Sequence, residues 1–396
     1  MGGEAVDLLA AIALSFSMAG QVYTSQVYGA QHFDKLNTIV STFISFSLQI
    51  AAVFLVITWF LSDGILHLLN CPEEAKFQAR SYMRITALGL PAIFGYNAVC
   101  GVLRGLGESR KPLMFVCISA GLNIGFDYLL VAIIPLEAAG TAIATIVAQY
   151  GSFIAALICL FRRRKPLCLS LSFFPFSVDR QLLVMILKLG IPQVIRTILI
   201  RFSMLWVNSM INSYGMIPST TAGIGNKLMK FLEVFMLGVD TASAAMIGQN
   251  LGAKKPDRAG KTTLATFFLT ISCASLSTLL CFVCPQLIFS LFSHDSAVLA
   301  LGTKYLHIMT VHFYLSAVTG AFQSLVNGSG NMKLAMVIGL LDGVICKIGL
   351  SLLAVYVFDS GYIGLFWAIA CSRGLSAVVC LNYYISGKWR ERAILG

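Results

Sequence analysis

Asp127 lies inside the apolar run Leu113–Ile134, with Asn123 four residues before it, so a helix there carries the carboxylate and the carboxamide on one face. A carboxylate well inside a lipid-length helix disfavours insertion by roughly 2.5–3.5 kcal/mol on translocon scales. It should therefore face protein or water, and it is presumed functional. The chemistry open to it is reversible binding of a proton or a small cation. Nothing in the chain adds the parts of covalent catalysis: there is no nucleophile–base pair and no GK[ST] ending to the glycine-rich stretch RGLGESRKP. That stretch reads instead as a short basic hairpin between two helices.

Further charges interrupt later apolar runs. Arg196 and Arg201 fall about seven and twelve residues into the run Leu189–Asn212, and Glu233 and Asp240 fall in the next, Thr221–Ile247. Counted from the shared end of two antiparallel helices, depth matches Arg196 with Asp240 and Arg201 with Glu233. Unpaired charges at such depth are costly, so two buried bridges are expected; the sharper alternative is a polar cavity wall. Asp342 and Lys347 are five apart, poorly aligned for an α-helical pair, which leaves Lys347 as a cavity candidate. Gln21 and Asn97 are candidates either for substrate contact or for hydrogen bonds between helices. The five histidines are scattered and receive no role.

The elements that hold these residues follow from composition. Of 396 residues 58% are hydrophobic and 11% charged, against roughly 25% charged in soluble domains. With mean hydropathy of +0.83, the chain is all-α and polytopic, with room for about 11 membrane spans of about 20 residues each. The spans expected are Ala5–Val27, Thr38–Leu61, Tyr82–Leu103, Leu113–Ile134 and Ala138–Phe161, then six more, closing with Thr303–Val326, Leu334–Val357 and Gly361–Ile385. Residues 62–80 should lie at an interface, and Pro91 should kink the third span. A basic stretch opening Arg162-Arg163-Arg164-Lys165-Pro166 separates an N-lobe at 1–161 from a C-lobe at 189–396, with 162–188 as linker.

The net charge of +11 is not a nucleic-acid footprint, because 18 of the 28 basic residues gather on one side of the alternating loops. The positive-inside rule makes that side, with the linker and the C-terminus, cytoplasmic. The two halves repeat at a shift of 223 residues: Gly29-Ala30 matches Gly252-Ala253, Asp34 matches Asp257, Tyr82 matches Tyr305, and Gly105 and Gly107 match Gly328 and Gly330. Six spans separate equivalent points, so the lobes are parallel repeats. By the same shift the partner of Leu189–Asn212 would precede residue 1, and the first lobe is expected to lack its first helix.

These features resemble the bacterial multidrug and toxic compound extrusion (MATE) family. The resemblance rests on Gly20-Gln21 with Tyr28-Gly29-Ala30, on Asn97 followed by GVLRGLGESRKP, on Leu122-Asn123-x3-Asp127, on GTAIAT, on LGIP with VNSMINSYG, and on IGQNLGAKKPDRA. It implies a twelve-helix, two-lobe antiporter, here without the first helix, exporting amphipathic, often cationic compounds against an H+ or Na+ gradient. The coupling-ion site it implies comprises Asp127, Asn123 and Thr145, and by residue count both Asp127 and Thr145 lie roughly 10 Å deep. No cofactor beyond the coupling ion is expected. The expected partners are a small-molecule substrate and the lipid bilayer, not nucleic acid, and the protein is expected to be a monomer in the inner membrane. A lipid-linked oligosaccharide flippase using Arg196 and Arg201 on phosphates is the alternative within the superfamily, and a nonfunctional truncated transporter is the other.

Overall fold

The computed structural model describes residues 2–68, 73–162 and 178–392. Every regular element among them is helical. In the first half these are α1 (Gly2–Gly29), α2 (Phe33–Leu68), α3 (Glu73–Ala87), α4 (Leu90–Gly105), α5 (Arg110–Asp127), which continues as a π-helical turn over Tyr128–Ile133, and α6 (Glu137–Arg162). The second half has α7 (Arg180–Asn212), α8 (Met216–Gly252), α9 (Pro256–Val283), the short α10 (Pro285–Ser290) and α11 (Ser296–Gly328). It closes with α12 (Met332–Leu340), a π segment over Leu341–Ile348, α13 (Gly349–Leu352), a second π segment over Leu353–Val357, α14 (Gly361–Cys371) and α15 (Gly374–Ile385).

Nine helical stretches among the described residues are long and apolar enough to cross a membrane. The count rises to ten if α3 and α4, bent by 43° at their junction, form one broken span. The expected eleventh is α11. It is 33 residues long, but it carries His307, His312, Gln323 and Asn327 along its length. It can do so because α8, α9, α14 and α15 all pack against it. Thr310, His312, Ser316, Thr319, Gln323 and Asn327 are all buried there, with Phe313 and Met309 among the most enclosed side chains of the core.

Residues 62–68 continue α2 as helix. The expected bend of the third span falls at Leu88–Gly89, just before Pro91. Pro91 itself sits in the first turn of α4, where its missing N–H is one of the groups a helix start leaves unpaired anyway. The hairpin reading of RGLGESRKP agrees with the structure, since Gly107 turns the chain between α4 and α5 at φ +88°, and Gly330, its match in the repeat, does the same between α11 and α12 at +74°. Only glycine adopts that backbone at little cost.

The chain divides into two compact units, Met1–Val194 and Ile195–Ile394. The division falls inside α7, beyond the expected linker at 162–188, most of which lies outside the described residues. Its physical reason is that the first turns of α7 pack into the first unit: a Cβ on Gly190 would strike the Phe16 ring, and Gln193 Nε2 lies 2.8 Å from Met18 Sδ.

In the first unit α4 lies close against α1. A Cβ on Gly101 would stand 2.5 Å from the Ser17 carbonyl oxygen, and one on Gly105 2.7 Å from that of Gln21. Small residues four apart let two membrane helices approach at backbone distance, where packing and interhelical hydrogen bonds replace the hydrophobic effect.

Candidate functional site

In the first unit, α4, α5 and α6 enclose a cavity of about 320 Å³ lined by Tyr96, Ser119, Asn123, Thr145, Gln149 and Ser152, among others. Two of the three expected coupling-ion residues, Asn123 and Thr145, thus face one space. Thr145 Oγ1 donates to the Thr141 carbonyl at 2.9 Å, which leaves its lone pairs available. Asp127 is the last residue of α5, at the junction with the π turn, and π turns in α-helices are frequent at functional sites. It is half-buried, and its Oδ1 is buried without a hydrogen-bond partner among the described residues. Tyr82 on α3 lies within electrostatic reach of both Asp127 and Asp7 of α1. Asp7, near the start of the first apolar run, is an acid the sequence pattern did not single out.

Gln21 and Asn97 turn away from a cavity role. Gln21 is fully buried, and its Oε1 accepts from Arg104 Nε at 2.9 Å. Asn97 Nδ2 donates to the Ile93 carbonyl of its own helix at 2.8 Å. Arg104 also donates to Ser17 Oγ at 2.9 Å, and Ser17 Oγ donates to the Asn97 carbonyl at 2.5 Å. Together these groups form the polar seam between α1 and α4.

The second unit holds a denser polar cluster, and its pairing differs from the one that depth matching gives. Glu233 meets no arginine of α7. Its Oε1 lies 2.9 Å from His312 Nε2, 3.4 Å from Arg373 Nη1 and 3.3 Å from Ser316 Oγ, which donates to it. Arg373, in the short break between α14 and α15, also reaches Asp342 Oδ2 at 3.6 Å and donates to Ser316 Oγ at 2.7 Å. Ser372 Oγ donates to Asp342 Oδ1 at 3.2 Å.

Arg201 is exposed on α7, so the expected bridge to Glu233 is absent. Arg196 Nη2 donates to Gln323 Oε1 at 3.0 Å, and its stem packs on Gly339. Asp240 packs on Gly320, one turn before Gln323 on α11, with Oδ1 buried and unpartnered among the described residues. Arg196 and Asp240 share a field without forming a contact pair. Lys347 and Asp342 are both buried, at 7% and 5% exposure. The π winding from Leu341 to Ile348 explains this: an i to i+5 repeat brings residues five apart onto one face, which an α-helix would not do.

The sequence reading missed His312, Asp342 as a network member, and Arg373. A signal was present for Arg373, a cation in the middle of the run Gly361–Ile385. The scattered positions of the histidines concealed His312.

Comparison with known proteins places this geometry. A family model described as MatE matches residues 2–129 and 192–353. The chain is 26% identical over 381 residues to the probable multidrug resistance protein YpnP of Bacillus subtilis, covering 95% of this chain and 83% of that one. It is 25% identical over 338 residues to the probable multidrug resistance protein YoeA of the same organism, covering 84% and 73%. Its fold is similar to an outward-facing multidrug resistance MATE family transporter of the MOP superfamily, with TM-score 0.91 at 17% identity over 99% of this chain and 88% of that one. It is similarly close to the Vibrio cholerae MATE transporter VcmN, with TM-score 0.90 at 17% identity over 98% and 89%.

Proposed function

Since the chain belongs to the MatE family of multidrug efflux transporters, we propose that it is a secondary active exporter of amphipathic, cationic small molecules, driven by H+ or Na+ antiport with rocking of the two lobes. It carries out no bond-making chemistry. It works as a monomer in the inner membrane with its C-terminus in the cytoplasm, the orientation favoured by the crowding of basic residues into alternate loops.

The observation that carries the reading is Asp127 Oδ1, buried without a hydrogen-bond partner among the described residues, one turn beyond a cavity that Asn123 and Thr145 line. A buried carboxylate oxygen with no donor of its own is costly unless a proton, a cation or water fills the gap. Loading that acid from one side and unloading it on the other, with substrate competing for the same space, gives an exchange cycle with no further parts.

The test is uptake of the lipophilic cation tetraphenylphosphonium into proteoliposomes, driven separately by a pH gradient and by a Na+ gradient. Asp127→Asn should reduce the gradient-driven rate at least tenfold while the thermal unfolding curve stays in place. A folded Asp127→Asn protein that still pumps at the wild-type rate overturns the proposal.

A further inference from the structure

Three cations on α7 and α8 stand outside the polar networks described above. Arg201, Lys227 and Lys230 are all exposed, and among the described residues none of them forms an ion pair. The acid closest to them along α8, Glu233, is already taken by His312 and Arg373. Arg201 lies about three turns from the end of α7 at Asn212, and Lys227 and Lys230 lie about three and four turns from the start of α8 at Met216. All three are therefore inside stretches apolar enough to cross a membrane. An unpaired cation facing hydrocarbon there costs roughly 2.5–3.5 kcal/mol on translocon scales, so this face needs an anion.

One hydrogen bond shows how the two helices face each other. Asn226 Nδ2 donates to Asn208 Oδ1 at 3.2 Å. Lys230 comes four residues after Asn226 and Arg201 seven before Asn208, intervals that return to nearly the same side of a helix. With rises of about 6 Å and about 10 Å away from the turn that joins the helices, the two charges reach nearly one level beside the α7–α8 seam. Lys227, one turn from Lys230, adds a third on the side of that turn. Further round each helix the exposed residues are large and apolar, with Phe202 at 58%, Phe231 at 67% and Val234 at 61%. Because α7 and α8 run antiparallel, equal rotations away from the asparagine contact bring both faces to the same side. Cations and apolar side chains thus make one continuous surface.

That surface asks for two things at once, negative charge at the seam and hydrocarbon around it. A soluble anion supplies only the first, and bare lipid chains only the second. An amphiphile with an anionic head supplies both, and the bilayer holds it at high local concentration. A zwitterionic head would bring a further positive charge to a place that already has three. We propose that this face is a binding site for an anionic phospholipid, its phosphate held by Arg201, Lys227 and Lys230 and its chains lying along Phe202, Phe231 and Val234. The long stems of the three cations lie on the apolar neighbours and carry their charges to the head. The site is separate from the cavity of the first unit and does not rest on the export reading.

The test is native mass spectrometry of the full chain released from mild detergent, titrated with phosphatidylglycerol or with phosphatidylcholine of the same acyl chains. The wild-type protein should retain phosphatidylglycerol at a concentration at least fivefold lower than phosphatidylcholine, and the preference should shrink as salt rises. Combining Arg201→Gln, Lys227→Gln and Lys230→Gln should bring the two lipids level. Equal retention by wild type, or an unchanged preference in the triple variant, overturns the site. A second triple variant, Lys254→Gln with Lys255→Gln and Lys261→Gln, removes as many exposed cations from the α8–α9 turn. It should keep the wild-type preference, and an equal loss there would show that net charge alone is at work. Glycerol phosphate in tenfold excess should leave the lipid in place; displacement would mean that the ligand is a soluble anion and refute the lipid assignment. If the first triple variant does not fold, Lys227→Gln alone should weaken phosphatidylglycerol retention at least twofold, and no change in it is equally fatal.

Discussion

Adding one methyl group separates two kinds of glycine that the sequence writes alike. Gly101 and Gly105 on α4, and Gly121 and Gly125 on α5, are both pairs four apart in apolar helices. A Cβ on Gly101 would lie 2.5 Å from the Ser17 carbonyl oxygen and 2.7 Å from its Oγ, whereas one on Gly125 meets nothing within 4 Å among the described residues. Ordinary contact begins near 3.4 Å, so α1 and α4 must part by about 0.9 Å to accept Gly101→Ala. The obstacle is backbone and cannot rotate away. Overpacking of this kind costs about 1–3 kcal/mol. The shift also stretches the Arg104 bonds to Gln21 and Ser17, each 2.9 Å now, and bonds to charged groups contribute about 1.5–3 kcal/mol apiece. A loss of about 3 kcal/mol or more is expected for Gly101→Ala. Gly125→Ala should instead stabilise by about 0.5–1 kcal/mol, because alanine loses less conformational freedom in a helix. Equilibrium unfolding in mixed SDS and mild-detergent micelles measures both. The reasoning fails if Gly101→Ala costs under about 1 kcal/mol, or if the two variants shift stability in the same direction by the same amount.

The buried network gives further contrasts. Arg373→Met removes the cation shared by Glu233 and Asp342, and breaking such a pair costs about 3–5 kcal/mol when fully buried; with Arg373 and Glu233 side chains each 29% exposed, about 2–3 kcal/mol is expected in the same assay. Adding Glu233→Gln should recover part of it, and an additive double variant would show that the two do not interact. Arg201→Met, on the exposed face of α7, should change stability by less than about 0.5 kcal/mol. Asp257→Asn, which loses a bridge to Arg390 between side chains 80% and 53% exposed, should be equally mild, and its small effect should vanish in high salt.

Depth along a helix was legible in the sequence to within about a turn; rotation about its axis was not. Residue counting at 1.5 Å per step put Asp127 and Thr145 at a common level, and the structure finds Thr145 on one cavity with Asn123, one turn before Asp127. The same counting gave Arg201 to Glu233 because it had no information on which way each pointed. α7 is apolar nearly all round, so no stripe marks its inner face, and Arg201 is in fact exposed while Glu233 meets His312 of α11. Winding was the second hidden variable. A period of 3.6 sets Asp342 and Lys347 apart, but the π segment returns them to one face. Polarity was the third: α11 was expected as the span Thr303–Val326, but that its polar side chains, His312 among them, are buried amid other helices was not legible.

The 223-residue repeat, taken one unit at a time, separates what holds each unit together from what each does. The seam between α1 and α4 recurs between α8 and α11: a Cβ on Gly105 would press on the Gln21 carbonyl oxygen at 2.7 Å, and one on Gly328 on that of Ala244 at 2.8 Å, both positions moved by the same shift. Charge does not follow the shift. Ser17 becomes Asp240 and Arg104 becomes Asn327, while Asn123 and Asp127 become Cys346 and Leu350. In the first unit the seam's cation is held by neutral acceptors and the unpartnered acid stands on α5. In the second the acids and cations draw together around α11. Backbone-distance packing constrains a glycine at every copy, because any side chain there forces two helices apart. A titratable side chain facing a cavity is bound by no such rule, and can be lost from one unit as long as the other still handles charge.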